Sequence, residues 1–484
     1  MSDERVATLA GRLADRLGDA CVVQSGDIPE RFLEEPRGRF ARRPDLLARP
    51  GSTGDTAAVI RQCRAAGMPV VARGGGTGLV GGASVAAPSI AHRGGGVLLS
   101  LDRMDRIVSV DADAAAITLE AGATLAAAAD AAAEYGMAVP LSLASGGSAT
   151  IGGIVATNAG GNTTIRHGNA RRMVLGLEAV LADGRVLDLM STLRKDNAGY
   201  ALGQLLIGSE GTLGIITRAV LALVAQSRQQ AAAWCAVDSP RAALRLLRRV
   251  RSGLGETLTA FELISRRALE FSLVHLPGSR DPLAEPSPWY VLVEAGSAIA
   301  GDWLEGALLG VLEAAAEAGT VENAALAANR AQAAEFWRLR EAISPAQKPF
   351  GASVKHDISI PTESIPHFID EACIRLEQRL PGIRPCIFGH AGDGNLHFNL
   401  TRPEAMSDEA FMALEPELNR IVFDLVVRSR GSIAAEHGIG QLRIAELARR
   451  TDPVKLDVLR RIKHALDPDN LLNPGKVIVP DAKT

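Results

Sequence analysis

At 484 residues the chain exceeds one ordinary domain, and two or three domains are expected. Hydrophobic residues make up 47% and charged residues 22%, the balance of a soluble globular protein with sizeable cores. A net charge of −3, with no basic block and no interleaving of arginine with aromatic residues, argues against a nucleic-acid partner.

The opening stretch, MSDERVATLAGRLADRLGDA, has the spacing of an amphipathic helix. It shows no apolar h-region and no small-residue cleavage site, so it is not read as a secretory signal. No apolar run reaches the ~18 residues of a membrane span. The remainder of 1–50 reads as helices and loops. From residue 55 the pattern turns to helix (DTAAVIRQCRAAGM), strand (PVVAR) and glycine loop (GGGTGLVGGA). GGVLLSL and AITLEAG read as strands. ATLAAAADAAAEYGM follows as a buried helix stopped at Gly136. The interval 145–161 is too rich in glycine for regular structure. LGLEAVLADGRVLDL reads as a hairpin around Asp183-Gly184. Beyond residue 226 the glycine texture stops, and strands (AAAWCAVD, TLTAFELIS, WYVLVEAG) alternate with helices at 239–252 and 302–318. Residues 276–288 form a proline-rich loop, and a helix at 453–466 precedes a compact terminal loop. Cys21, Cys63, Cys235, Cys373 and Cys386 are scattered and odd in number. Their pattern predicts reduced thiols in a cytoplasmic protein and no iron–sulfur cluster on this chain.

Gly76-x-Gly78-x-x-Gly81 satisfies the GxGxxG dinucleotide pattern after an apolar strand. A Rossmann unit needs its third glycine to open a crossover helix, and the continuation GASVAAPSIAHRGGG, with Pro88, cannot supply one. Two readings of the loop stay open. One is a nest of amides for a pyrophosphate, with Arg73 adding positive charge; the other is a tight surface turn.

GHAGDGNLHFN at 389–399 sets His390 and His397 on either side of a turn, and AEHGIG supplies Glu436 and His437. Two strands joined by that turn could bring the imidazoles together, and a remote carboxylate would complete a two-histidine, one-carboxylate metal site. A spacing of seven is not the helical metal signature, so hydrogen-bonded histidines remain the other reading. Asp393 is expected to shape the turn through its own backbone bonds.

VVARGGGTGLVGGA, GGSATIGGIVATNAGG, DNAGYALGQLLIGSEGTLGIIT, GHAGDGNLHFN, AEHGIG and LDPDNLLNPGK occur in this order. The series, spanning about 45 to 478, resembles the FAD-linked D-2-hydroxyacid dehydrogenases with a vanillyl-alcohol-oxidase-type fold, the D-2-hydroxyglutarate dehydrogenases above all. The resemblance implies an α+β protein in three parts. Residues 1–225 form a two-subdomain FAD-binding domain, 226–430 an α/β substrate or cap domain, and 431–484 a C-terminal segment that completes the active site.

Carried over by motif, Arg73, Gly74, Gly75, Gly76, Thr77, Gly78, Gly81 and Gly82 would cradle the FAD pyrophosphate. Ser145, Gly147, Ile151, Gly152 and Asn158 would line the flavin and ribityl region. Glu210, Gly211 and Ile216 would lie near the adenine and ribose, with Asn473 closing the site. Relatives that bind FAD covalently through this loop have histidine where Thr77 stands, so noncovalent FAD is expected. His167 stands where relatives commonly have tyrosine, with no role assigned.

The resemblance also implies Zn²⁺ or Mn²⁺ on His390, His397 and Glu436. Oxidising a 2-hydroxyacid removes a hydroxyl proton and a hydride from one C–OH unit. A Lewis acid acidifies the hydroxyl, a neutral imidazole takes the proton, and only the flavin can store two electrons. His437 is therefore assigned as the base and Asn399 as a substrate contact. In D-2-hydroxyglutarate dehydrogenases an arginine, a threonine and a lysine hold the distal carboxylate; here the places fall on Arg340, Ser344 and Lys355. That set favours D-2-hydroxyglutarate, then D-malate, over D-lactate or glycolate. A silent flavoprotein scaffold is the reading from another class. The electron acceptor (an electron-transferring flavoprotein, a quinone or a partner subunit), the native metal and a homodimeric state stay open.

Overall fold

The computed structural model describes residues 3–40, 42–86 and 95–479. The stretch 87–94, including Pro88 on which the argument against a crossover helix relied, lies outside the described residues. The chain divides into two compact units. The first takes residues 1–161, 168–226 and 436–484; the second takes 162–167 and 227–435.

The first unit contains two main sheets. Strands β1 (Val22–Gln24), β2 (Leu46–Ala48), β3 (Val70–Arg73) and β4 (Val97–Ser100) form one, in the order β1-β2-β4-β3. β4 runs parallel to both β2 and β3. Parallel strands need coverage on both faces, and the near-continuous apolar runs of β2 and β4 are fully buried. The helix Thr53–Ala66 starts on a Ser52 cap and ends at Gly67 in the left-handed region. It packs into this core with Leu9 and Leu13 of the amphipathic helix Asp3–Leu17. The early stretch therefore contributes two short strands where only helices and loops were expected, because single residues such as Leu46 and Leu47 gain full burial beside β4.

β5 (Ile107–Asp111), β6 (Ala116–Glu120), β8 (Val174–Val180), β9 (Val186–Leu189) and β10 (Ile215–Ala222) form the second, antiparallel sheet in the order β5-β6-β10-β8-β9; β7 (Met137–Ala138) and β11 (Val224–Ala225) make a two-stranded ladder beside it in sequence. β8 and β9 are the expected hairpin, with Gly184 at φ 80° in the turn. The alanine-rich helix is Leu125–Ala133, capped by Thr124. Only one of its faces is buried, through Leu125, Ala128 and Ala132, so its alanines are half inside and half out.

One expectation fails here. The glycine-rich interval contains a helix, Ile151–Thr157. Two glycines near its start cost helix propensity, about 1 kcal/mol each. Packing demands the first of them: a Cβ on Gly152 would lie 2.6 Å from the Cβ of Ala121. Ile151, Ile154 and Val155 anchor the other side in the core beneath the second sheet.

The second unit is built on an eight-stranded antiparallel sheet. Its strands are β12 (Gln229–Val237), β13 (Leu258–Ser265), β14 (Trp289–Ser297), β15 (Asn323–Leu326), β16 (Ser353–Val354), β17 (Asp357–Ser359), β18 (Arg384–Gly389) and β19 (Asn395–Thr401). The order is β15-β12-β14-β13-β18-β19-β16, with β17 pairing β19. Helix Pro240–Leu254 falls where 239–252 was expected and has a Ser-Pro start, Ser239 accepting from the amide of Ala242. Helix Arg330–Ala346 begins on Asn329 and packs on the sheet through Phe336, Leu339 and Ile343, against Trp234 and Tyr290. Among the described residues no helix is long and apolar enough to cross a membrane. All five cysteines are free thiols. Burial pushes those of Cys63, Cys235 and Cys386 up to about 12, which leaves them unreactive.

Candidate active site

Within the first unit, the loop after β3 lies against the start of helix Ile151–Thr157. A Cβ on Gly75 would sit 1.8 Å from the carbonyl oxygen of Ser148, so the two backbones meet where no side chain fits. Between them opens a cavity of about 420 Å³. Leu79, Val80, Leu101, Leu143, Ile154 and Ile215 give it apolar walls. Thr150 Oγ1 and Asn473 Oδ1 are buried polar atoms on its lining with no hydrogen-bond partner among the described residues. Apolar walls with a few unsatisfied polar atoms are what a large, mostly flat cofactor needs.

Most of the expected cofactor residues line this cavity. Arg73, Gly74, Gly75, Gly76, Thr77, Gly78 and Gly82 do so from the loop. Ser145, Gly152, Gly211, Ile216 and Asn473 do so from the other walls. Gly81, Gly147, Ile151 and Asn158 lie off the lining. Ile151 is a core residue, and Asn158 is the left-handed C-cap of the helix, its Oδ1 accepting from the amide of Arg171. Arg73 is buried, and its guanidinium donates to the carbonyls of Arg31 and Glu34 at 3.0 and 3.2 Å. It therefore braces the loop from beneath.

Glu210 lines the cavity but is spent on protein. Its Oε1 accepts from the amide of Ile439 at 2.7 Å and its Oε2 from Gly440 at 2.8 Å. The next residue, Gln441, binds back to the glycine loop, its Nε2 donating to the carbonyls of Gly81 and Ser84 at 2.7 and 3.0 Å. The segment carrying Glu436 and His437, both on the cavity lining, is thus pinned to the cofactor loop. Burial pushes Glu210 upward in pKa, opposed by those two amide bonds and by Lys476 and Arg443. Two amide donors on its two oxygens favour the carboxylate form.

Lys476 is buried, and desolvation holds its amine down at about 7, against the opposing pull of Glu210. Unfolded, the amine titrates near 10.5. Between those values the unfolded chain binds the extra proton, so this residue makes stability rise as pH climbs from about 7 to about 10. Lys476→Met is expected to flatten that part of the stability–pH curve in chemical denaturation. An unchanged slope would show that the amine is protonated in the folded state.

In the second unit, β18 and β19 are register partners with Phe388 opposite His397 and Cys386 opposite Asn399. His390 follows β18 directly, and its ring lies 5.8 Å from that of His397, edge-on. The turn between them is closed by Asp393, whose Oδ1 accepts from the amide of Asn395 at 3.1 Å, as expected. Asn399 is buried, with Oδ1 accepting from the amide of His356 at 3.2 Å. Alternation along β19 puts it on the same face as His397. Ala435 ends this unit, its amide donating to the carbonyl of Asp357 at 3.3 Å; Asp357 is the β17 residue opposite His397. Glu436 is the next residue along.

Arg340 and Ser344 lie on helix Arg330–Ala346, and Lys355 follows β16, its Nζ donating to the carbonyl of Ser344 at 3.4 Å. Ser344 is exposed; Arg340 is buried. Arg340 is held by a residue that the sequence reading missed. Glu262, fully buried on β13, accepts from Arg340 Nε at 2.7 Å and lies 2.6 Å from His390 Nδ1. Burial pushes the Glu262 carboxyl up, but the His390 imidazole and the Arg340 guanidinium outweigh it and hold the group at about 2, as the carboxylate. A lone acid inside the apolar strand TLTAFELIS was the available signal. His167 ends the short helix Thr164–His167, part of the second unit, and no cofactor role follows from its position.

The chain matches the family FAD binding domain over residues 44–190 and the family FAD linked oxidases, C-terminal domain, over residues 226–477. It is 38% identical over 449 residues to the D-2-hydroxyglutarate dehydrogenase of Xanthomonas citri pv. viticola, covering 93% of this chain and 92% of that one. It is 36% identical over 466 residues to the mitochondrial D-2-hydroxyglutarate dehydrogenase of Arabidopsis thaliana, covering 96% of this chain and 80% of that one. In fold it is similar to p-cresol methylhydroxylase with substrate bound, at a TM-score of 0.75 and 16% identity, covering 100% of this chain and 99% of that one. The α+β architecture is of the vanillyl-alcohol-oxidase type, and the fitted group for the glycine-lined cavity is FAD. The chain is an FAD-dependent oxidoreductase and belongs to the FAD-linked oxidase family that includes the D-2-hydroxyglutarate dehydrogenases.

Proposed function

We propose that the protein oxidises a dicarboxylic D-2-hydroxyacid, D-2-hydroxyglutarate first and D-malate next, to the 2-oxoacid. The observation that carries the substrate choice is Arg340. Its Nε is taken by Glu262, while its Nη2 is buried with no hydrogen-bond partner among the described residues. A buried guanidinium nitrogen left open costs ~1–3 kcal/mol until an acceptor fills it, and a second carboxylate is a matching acceptor. D-Lactate carries none. The names of the relatives support the same substrate.

His390, His397 and Glu436 would hold a divalent metal such as Zn²⁺ or Mn²⁺. The donor set fits: two imidazoles meet across the β18–β19 turn, and the Nδ1 of His390 faces Glu262, so Nε2 is the nitrogen that would face a metal. When bound, the metal supplies positive charge that makes the substrate hydroxyl more acidic. The flavin, held by the glycine loop, would supply the two-electron acceptor for the hydride lost from the substrate carbon. His437 takes the hydroxyl proton, Arg340 and Lys355 hold the distal carboxylate, and Asn399 orients the substrate beside His397. The cofactor is held without a covalent bond, because the cavity offers Thr77 in place of an imidazole on the glycine loop. Acid precipitation is expected to leave the flavin in the supernatant; a yellow pellet would overturn this.

The test of the substrate is anaerobic bleaching of the flavin by a panel of D- and L-hydroxyacids, before and after chelation and metal return. D-2-Hydroxyglutarate is expected to exceed D-lactate at least ~100-fold in kcat/KM, the scale of one to two charged hydrogen bonds. Faster bleaching by D-lactate sinks the dicarboxylate reading, full turnover in metal-free protein sinks the metal, and no bleaching by any hydroxyacid favours the scaffold.

A further inference from the structure

We infer that Glu262 is a positioning residue that ties metal binding to recognition of the distal carboxylate, by holding His390 with one oxygen and Arg340 with the other. The inference rests on the proposed roles of those two residues and adds a third to them. Glu262 stands on β13, which pairs with β18 through Leu263–Gly389 and Ile264–Phe388, so its carboxylate arrives beside the residue that follows β18. His390 Nδ1 lies 2.6 Å from Oε1 and Arg340 Nε 2.7 Å from Oε2.

Each bond selects one orientation. On the histidine, a proton shared with Glu262 sits on Nδ1 and leaves the lone pair on Nε2, the arrangement a ligating imidazole needs. On the arginine, the Nε edge is consumed, so only the outer Nη groups face a ligand. The guanidinium is further fixed by the Phe388 ring, with Cζ 4.9 Å from its centroid. The same helix has a second anchor, Trp337 Nε1 donating to half-buried Glu294 at 2.6 Å, which keeps Arg340 from drifting along the sheet. Phe388 in turn lies 4.9 Å, centroid to centroid, from His397. One carboxylate and one ring thus join the two histidines to the Arg340 guanidinium inside a single core.

A residue placed this way transmits. Removing the charge at 262 turns the His390 ring loose and frees the Nε edge of Arg340 in one step. An independent arginine and an independent metal pair would respond separately.

The experiment uses purified flavoprotein and its Glu262→Gln variant. Affinity for Zn²⁺ is measured by competition with a chromophoric chelator, and KM for D-2-hydroxyglutarate and for D-lactate at saturating Zn²⁺. A glutamine can accept from only one of the two partners well. The expected result is Zn²⁺ affinity weakened ~10–100-fold, the usual effect of losing a histidine's outer partner. The KM for D-2-hydroxyglutarate rises at least ~10-fold while that for D-lactate stays within ~3-fold, flavin content being equal. A shift in only one of the two quantities, or in neither, overturns the inference. Failure of the parent protein to bind Zn²⁺ at all is a different result: it removes the metal reading itself and the coupling with it. If Glu262→Gln yields no flavoprotein, Glu262→Asp, too short to reach both partners, is measured with the same expectations.

Discussion

Replacing His437 by alanine is expected to leave the oxidised flavin spectrum unchanged and to slow anaerobic flavin reduction by D-2-hydroxyglutarate at least ~100-fold, the lower bound for a lost general base. The two halves of that expectation have different origins. Cofactor retention rests on the glycine loop and the helix Ile151–Thr157, whose backbones make the cavity; His437 only borders it. The rate rests on the imidazole being carried in one place. Glu210 grips the amides of Ile439 and Gly440, and Gln441 grips the carbonyls of Gly81 and Ser84, so the residues after His437 have little freedom. A base held in advance avoids the entropic cost of being recruited. Stopped-flow reduction under nitrogen measures the rate directly. A variant that reduces at the parent rate would remove the base assignment while leaving the cavity and its flavin untouched.

What the sequence made readable was local or motif-bound. The β8–β9 hairpin follows from Asp183-Gly184 between apolar runs, and the helix after Ser239 falls where 239–252 was expected. The two histidines meet across a turn because the strands flanking it are contiguous in sequence. What was hidden depends on partners far along the chain. Glu262 lies 128 residues from His390 and 78 from Arg340, and no periodicity links such positions. Glu210 was expected at the adenine, but its carboxylate serves amides 229 and 230 residues later. The helix Ile151–Thr157 was missed for the opposite reason. Local propensity spoke against it, and only the closeness of Ala121 explains why glycine is required there. The return of residues 436–484 to the first unit has the same origin. Asn473 donates its amide to the carbonyl of Val70 at 2.7 Å, extending the edge of β3 with a segment 400 residues downstream in order of magnitude.

Arg340→Lys is expected to lower kcat/KM for D-2-hydroxyglutarate ~10–100-fold, through KM, and to change D-lactate by less than ~3-fold. Lysine is chosen because a neutral residue would leave Glu262 buried with one cationic partner removed, a loss of ~3–5 kcal/mol that would confuse folding with recognition. It preserves the charge and removes the planar fork, so the Nε bond to Glu262 and the outer Nη pair can no longer be made together. The competing account makes Arg340 a counter-ion for Glu262 and nothing more. That account predicts lower stability and no preference between the substrates, because no substrate group then meets the Arg340 guanidinium. Competitive inhibition separates the two further. Under the recognition account a plain dicarboxylate such as glutarate binds the parent protein and loses affinity in the variant by the factor seen in KM. Under the counter-ion account its affinity does not move. The Nη2, without a hydrogen-bond partner among the described residues, favours recognition, since a guanidinium present only to neutralise Glu262 has no reason to keep a second nitrogen desolvated.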